Sequence, residues 1–260
     1  MSKAPVVVIG IGEMGSVFAR GLLRLGHPVY PVTRETDMSR LAEALPAPDM
    51  VLIAVGEAAL PPVLETIPDA WRNRLALLQN ELLPADYADL PGPTVISVWF
   101  EKKKGQDVKV LIPSPVFGPR SRLLIDALAT LDIPAREVPD DQAMAFELVL
   151  ELVLKNVYIL TTNIAGLRIG GTVDELWRDH EALARTVANE VIDIQVGLTG
   201  RSYDRDALIG GMLEAFNGDP EHRCMGRSAP ARLQRALAHA DRLRLDVPTL
   251  REIAREQAPS

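Results

Sequence analysis

The sequence predicts an α/β fold in two parts: a parallel-sheet domain over residues 1–138 and an all-helical domain over residues 139–260. Three observations predict it. Short β-branched runs alternate with helical patterns in the first half, as in strands joined by crossover helices. A glycine-rich turn, Gly10-Ile11-Gly12-Glu13-Met14-Gly15, separates the first run from the first helix. Beyond Val138 no strand signal recurs, and long apolar helical stretches take over.

Taken in order, the expected strands cover 5–9, 29–32, 50–55, 75–78, 94–99, 108–112 and 135–138. The helices between them cover 14–25, 38–44, 58–66 and 121–131. The polar segment from Glu101 to Gln106 reads as a hairpin turn between two strands, with two readings: a basic patch for an anion, or, as preferred, a solvated loop. Asp140 or Asp141 suits the N-cap of a further helix. Helices then follow over 147–167, 173–198, 204–216 and 229–242, and Pro248 opens a short last one.

Composition bounds the function. Hydrophobic residues at 47 % and charged residues at 24 % describe a folded chain, and aromatics at 5 % leave the core to aliphatic side chains. A net charge of -7 repels phosphate backbones, so nucleic acid is not an expected partner. Cys224 is the single cysteine, which rules out an intrachain disulfide and fits a reducing cytoplasm. The chain opens directly on Val6-Val7-Val8-Ile9, without the pattern of a signal peptide. The most apolar later stretch, 148–160, is broken by Glu151, Lys155 and Asn156, and falls short of the roughly 20 residues that span a bilayer. A cytoplasmic protein without a membrane partner is expected, and no metal site.

The glycine turn carries the first chemical signal. A GxGxxG at a strand–turn–helix junction is the Rossmann fingerprint. Gly10 allows the tight turn, Gly12 lets the backbone approach a pyrophosphate, and Gly15 lets helix pack on strand. The helix N-terminus presents free N–H groups to the phosphates. Glu13 must then point its carboxylate away from them. Ile11, Met14 and Val55, the last at the end of the third expected strand, complete the set expected to line the cofactor. The end of the second strand selects the nucleotide. An acidic residue there marks NAD, and a cation marks the 2′-phosphate of NADP. Here Thr33-Arg34 follows Val32, with a hydroxyl and a guanidinium for the phosphate, so NADP(H) is expected; Glu35, one step on, argues for NAD.

The run 147–167 is apolar almost all round, which suits a central helix. Glu151, Lys155, Tyr158 and Thr162 fall on one stripe of it. Two readings stand: an exposed Glu–Lys pair, or a cleft-facing Lys155 that polarises a carbonyl and gives it a proton.

Several motifs together resemble the ketopantoate reductase family, whose helical domain is like that of 6-phosphogluconate dehydrogenase. They are the opening GIGEMG, Leu78-Gln79-Asn80 at a strand end, Lys155 with Asn163 in KNVYILTTN, and Asp246-Val247-Pro248-Thr249. The resemblance implies a reductase of a small 2-oxo acid that uses NADP(H). It implies Lys155 as the catalytic acid, and Asn80 and Asn163 as residues that orient substrate, with Asn80 also near the nicotinamide. The helical domain would hold substrate and support a homodimer. The chain departs from the family at Glu81, where the family has Gly, and at Ile159, where it has Asn. It departs again over 226–232, which contains no carboxylate where the family has a Glu. These departures motivate two other readings: an NADP(H)-binding sensor or scaffold that lost the chemistry, and an oligomeric structural protein.

Overall fold

The computed structural model describes residues 3–138 and 145–257. Contacts divide the chain into two compact units, Met1–Val149 and Leu150–Ser260. The division falls inside a helix rather than at 138/139, and the helix start expected at Asp140 or Asp141 lies outside the described residues.

The first unit is built on a seven-stranded sheet in the order β2-β1-β3-β4-β5-β8-β9. Its strands are β1 (Val6–Ile9), β2 (Val29–Val32), β3 (Met50–Ile53), β4 (Leu75–Leu77), β5 (Thr94–Ile96), β8 (Ser114–Phe117) and β9 (Ala135–Glu137). Every residue of β1 and β3 is buried, which explains their unbroken apolar runs: both faces are covered, so no alternation is needed. Pro31 is tolerated in β2 because that strand is the sheet edge. Helices α1 (Glu13–Arg24), α2 (Met38–Ala44), α3 (Leu60–Thr66) and α4 (Ser121–Ala129) make the crossovers and flank the sheet. Phe18 and Leu22 of α1 pack with Leu124 and Leu128 of α4 over Val6, Val8 and Leu52 in one core.

The sheet is parallel through β5 and then inverts, since β5 pairs with β8 antiparallel. The reason for the inversion is the connection. A parallel neighbour needs a crossover of a dozen or more residues, usually a helix. Between β5 and β8 the chain makes only a small hairpin, β6 (Phe100–Glu101) with β7 (Lys109–Val110). The expected strand over 94–99 therefore stops at Ile96, and the one over 108–112 contributes only β7, outside the main sheet. The strand that takes its place, β8, contains Pro115, a residue that argues against a central strand. Pro115 serves the ladder through its carbonyl, which accepts from the Ser97 N–H.

The second unit is helical: α5 (Ala145–Ile169), α6 (Val173–Thr199), α7 (Arg205–Gly218), α8 (Ala229–Leu243) and α9 (Pro248–Glu256). Helix α6 is the hub, with α7, α8 and α9 packed against it. Its start is a capping box between Thr172 and Glu175, and it ends on Gly200 in the left-handed region. The buried Glu190 of α6 accepts the backbone N–H groups of Thr249 and Leu250, both at 2.9 Å, and so caps α9. Helix α5 exceeds the short apolar stretch read from the sequence: over 147–169 it is long and apolar enough to cross a membrane. Yet 78 % of its most apolar window is buried inside the protein, as in a core helix. Thr161, Thr162 and Asn163 extend it because, though polar, they are buried within the unit.

Candidate cofactor and active site

In the sheet order, β1 lies between β2 and β3, so the connections leaving β1 and β2 run in opposite directions. The crevice at the carboxyl ends of β1 and β3 is the place where open α/β sheets take ligands. The glycine turn sits there. Gly10 has φ +91, and a Cβ on it would lie 2.8 Å from the Ala54 carbonyl oxygen. A Cβ on Gly15 would lie 2.0 Å from the Gly10 carbonyl oxygen. Turn and helix packing thus exclude side chains at both positions. Gly12 differs. Its φ of -78 and ψ of -169 suit any residue, and a Cβ there meets nothing within 4 Å. Nothing among the described residues requires glycine at this point, whereas a ligand lying against the backbone would. Gly12 is also the N-cap of α1 and supplies no side-chain cap, so the first-turn N–H groups are left to other acceptors. These residues fit a dinucleotide pyrophosphate.

The other expected cofactor residues surround this turn. Ile11 is 41 % exposed, and Met14 packs against the sheet core. Glu13 is turned to Lys102 of the β6–β7 hairpin, with Nζ 3.6 Å from Oε2. The half-buried Val55 accepts from Gln79 Nε2 through its carbonyl. At the end of β2, Thr33 and Thr36 close a turn on themselves: the Thr33 N–H donates to Thr36 Oγ1 at 3.0 Å, and the two hydroxyls lie 3.3 Å apart. Arg34 is exposed in that turn and makes no ion pair among the described residues.

Beyond β4, Gln79 and Asn80 divide their work. Gln79 is buried and donates to the carbonyls of Ile53 and Val55, which ties the ends of β3 and β4 together. Asn80 donates from Nδ2 to Glu57 Oε1 at 3.1 Å. Glu81, which follows, has φ 63. The backbone there takes the left-handed form that suits the Gly of the related motif, now with a side chain that disfavours it.

In the helical unit Lys155 is 8 % exposed, so the exposed-pair reading is set aside. Its Nζ lies 5.2 Å from the centroid of the buried Tyr158 ring, within cation–π range. Neighbouring Asn156 donates to Gln195 of α6. Asn163 is buried as well, and its Oδ1 accepts from Arg232 Nη1 at 2.9 Å. Arg232 lies in 226–232, the segment that differs from the related family by its missing carboxylate. The pattern held a signal: Ala229, Arg232, Leu233, Ala236 and Ala240 are the buried positions of α8, and they fall at helical spacing with a guanidinium among them.

Solved structures that share this fold across nearly the whole chain include ketopantoate reductases. The 2-dehydropantoate 2-reductase of Methylococcus capsulatus matches with a TM-score of 0.70 and 15 % identity, over 97 % of this chain and 95 % of that one. A dimeric ketopantoate reductase from Staphylococcus aureus matches with a TM-score of 0.60 and 18 % identity, over 97 % and 96 %. D-mandelate dehydrogenase, solved with NADH, matches with a TM-score of 0.64 and 13 % identity, over 96 % of each chain. No protein-family model matches the chain, and no curated protein is similar to it in sequence. The chain has the ketopantoate reductase fold.

Proposed function

We propose that this protein is an NADPH-dependent reductase of a small 2-oxo acid. The observation that carries the cofactor assignment is Gly12, a glycine at the switch point whose Cβ space is open and whose backbone needs no glycine. NADPH, when bound, supplies the hydride that a carbonyl carbon accepts. The chain's own residues do the rest. The first turn of α1 and the Gly12 backbone hold the pyrophosphate. Arg34 grips the 2′-phosphate with its planar fork, beside the Thr33 hydroxyl. Lys155 holds the proton at Nζ and delivers it to the substrate oxygen; burial beside Tyr158 keeps the ammonium in one place. Asn80 and Asn163 orient the substrate. Asn80 Nδ2 is engaged by Glu57, which fixes the orientation of its amide. The reading extends to a homodimer, as in the Staphylococcus aureus enzyme, and to a cytoplasmic setting in keeping with the buried lone thiol of Cys224.

A second reading has one observation in its favour. Asn163 accepts from Arg232, which leaves less of its amide for substrate, and an NADP(H)-binding sensor would tolerate that. A panel of 2-oxo acids, aldehydes and imines, followed by NADPH oxidation at saturating cofactor, separates the two. Turnover of a 2-oxo acid supports the reductase; NADPH binding with no turnover across the panel overturns it in favour of the sensor. The cofactor assignment has its own test in nicotinamide fluorescence titration. NADPH should bind more tightly than NADH, and Arg34→Ala should remove the preference. The loss is about 1.5–3 kcal/mol for one charge-assisted contact, roughly ten- to a hundredfold in affinity. Equal affinities in the unaltered protein contradict the assignment.

A further inference from the structure

We propose that Lys102, carried by the β6–β7 hairpin, is a second cation of the cofactor site: it cancels the charge of Glu13 and binds the pyrophosphate. The inference rests on the NADP(H) reading of the glycine turn. Glu13 is the first residue of α1 and directly follows Gly12. A carboxylate there suits the helix dipole but opposes a pyrophosphate, whose charge has the same sign. The structure meets this conflict with a cation from a distant part of the chain, Lys102, whose Nζ lies 3.6 Å from Glu13 Oε2.

The placement of that ammonium is specific. Lys102 Nζ donates to the backbone carbonyl of Lys103 at 2.9 Å and also to that of Gln106, so the turn's own backbone aims the side chain. Its side chain is 19 % exposed. That of its neighbour Lys103 is 47 % exposed and pairs with Glu101 within the hairpin. An ammonium has three donors. Two go to the turn carbonyls. The third faces Glu13 at a separation longer than the roughly 2.7–2.9 Å of a charge-assisted hydrogen bond, so it is not committed there. That donor lies beside the side chain of the residue that follows Gly12, and in this proposal it goes to a phosphate oxygen lying on that glycine. The polar run of the hairpin, which by composition looks like solvated loop, then has a function in its first lysine.

The test uses the full chain with Lys102→Met, Lys102→Arg, Glu13→Gln and the Glu13→Gln/Lys102→Met pair. NADPH dissociation constants come from fluorescence titration, and thermal melts confirm folding. Lys102→Met should weaken NADPH by about tenfold, and Lys102→Arg by no more than about threefold. In the Glu13→Gln background, Lys102→Met should still weaken binding several-fold, because the phosphate contact remains to be lost. Three results overturn the proposal: Lys102→Met binding like the unaltered protein, Lys102→Arg binding as weakly as Lys102→Met, or the paired variant binding like Glu13→Gln alone. Failure of the unaltered protein to bind NADPH is a different outcome. It removes the cofactor site itself, and this proposal with it.

Discussion

Gly10, Gly12 and Gly15 are the same residue for three different physical reasons, and substitution separates them. A methyl group on Gly15 would be driven into the Gly10 carbonyl oxygen at 2.0 Å, so Gly15→Ala should destabilise the sheet unit by about 1–3 kcal/mol or more. A Cβ at Gly12 meets no atom of the described residues within 4 Å, so Gly12→Val is not forced into the turn. It should keep stability within about 1 kcal/mol, the scale of an N-cap change, while abolishing NADPH binding. Thermal melts and titration of both variants check the pair; a folded Gly12→Val protein with unchanged NADPH affinity contradicts the assignment. Glu81 offers the converse case. At φ 63, Glu81→Gly should exceed Glu81→Ala in stability by about 1 kcal/mol, the reverse of the usual order, as read from denaturation midpoints. Gly10 and Gly15 were legible because their reasons are local to one turn. Arg232 was not, because it acquires its meaning from a residue far away in sequence, Asn163; at Lys102 the sequence offered a basic patch for an anion but not its distant partner Glu13.

At the scale of elements, local pattern located the helices well. The strands expected at β1 to β4 are present, each with its periodicity or apolar run intact. Reading failed where the chain changes direction. Ser114–Phe117 carries proline and a serine, so it lacks a strand's composition, yet β5 and β9 pair with it from either side. The neighbouring apolar run was assigned to the sheet and instead forms a short hairpin. Tertiary pairing decided between two weak local preferences. The start of α9 shows the same limit. Asp246-Val247-Pro248-Thr249 marks a helix start by sequence, but its cap is Glu190 of another helix. Glu190→Ala strips two N–H groups of a charged acceptor and should cost about 2–3 kcal/mol. Chemical denaturation should show a lower midpoint at unchanged m; a midpoint within error of the unaltered protein would remove Glu190 as the cap.

For the whole molecule, the proposed chemistry divides between units. The sheet unit carries the glycine turn, Arg34 and Asn80, and the helical unit carries Lys155 and Asn163. That division was visible in the sequence as a change from alternating to purely helical patterning. Its boundary was not, because α5 runs without interruption through the division at Val149 and Leu150. The division makes a direct demand: removing the acid should spare the cofactor. The measurement that tests it is single-substrate kinetics with NADPH titration on Lys155→Ala, once the panel supplies a substrate. The account predicts a fall in kcat of roughly 10² to 10⁴, the range for a positioned general acid, with the NADPH dissociation constant within a few-fold of the unaltered protein. Turnover at the original rate in a folded Lys155→Ala protein would contradict it.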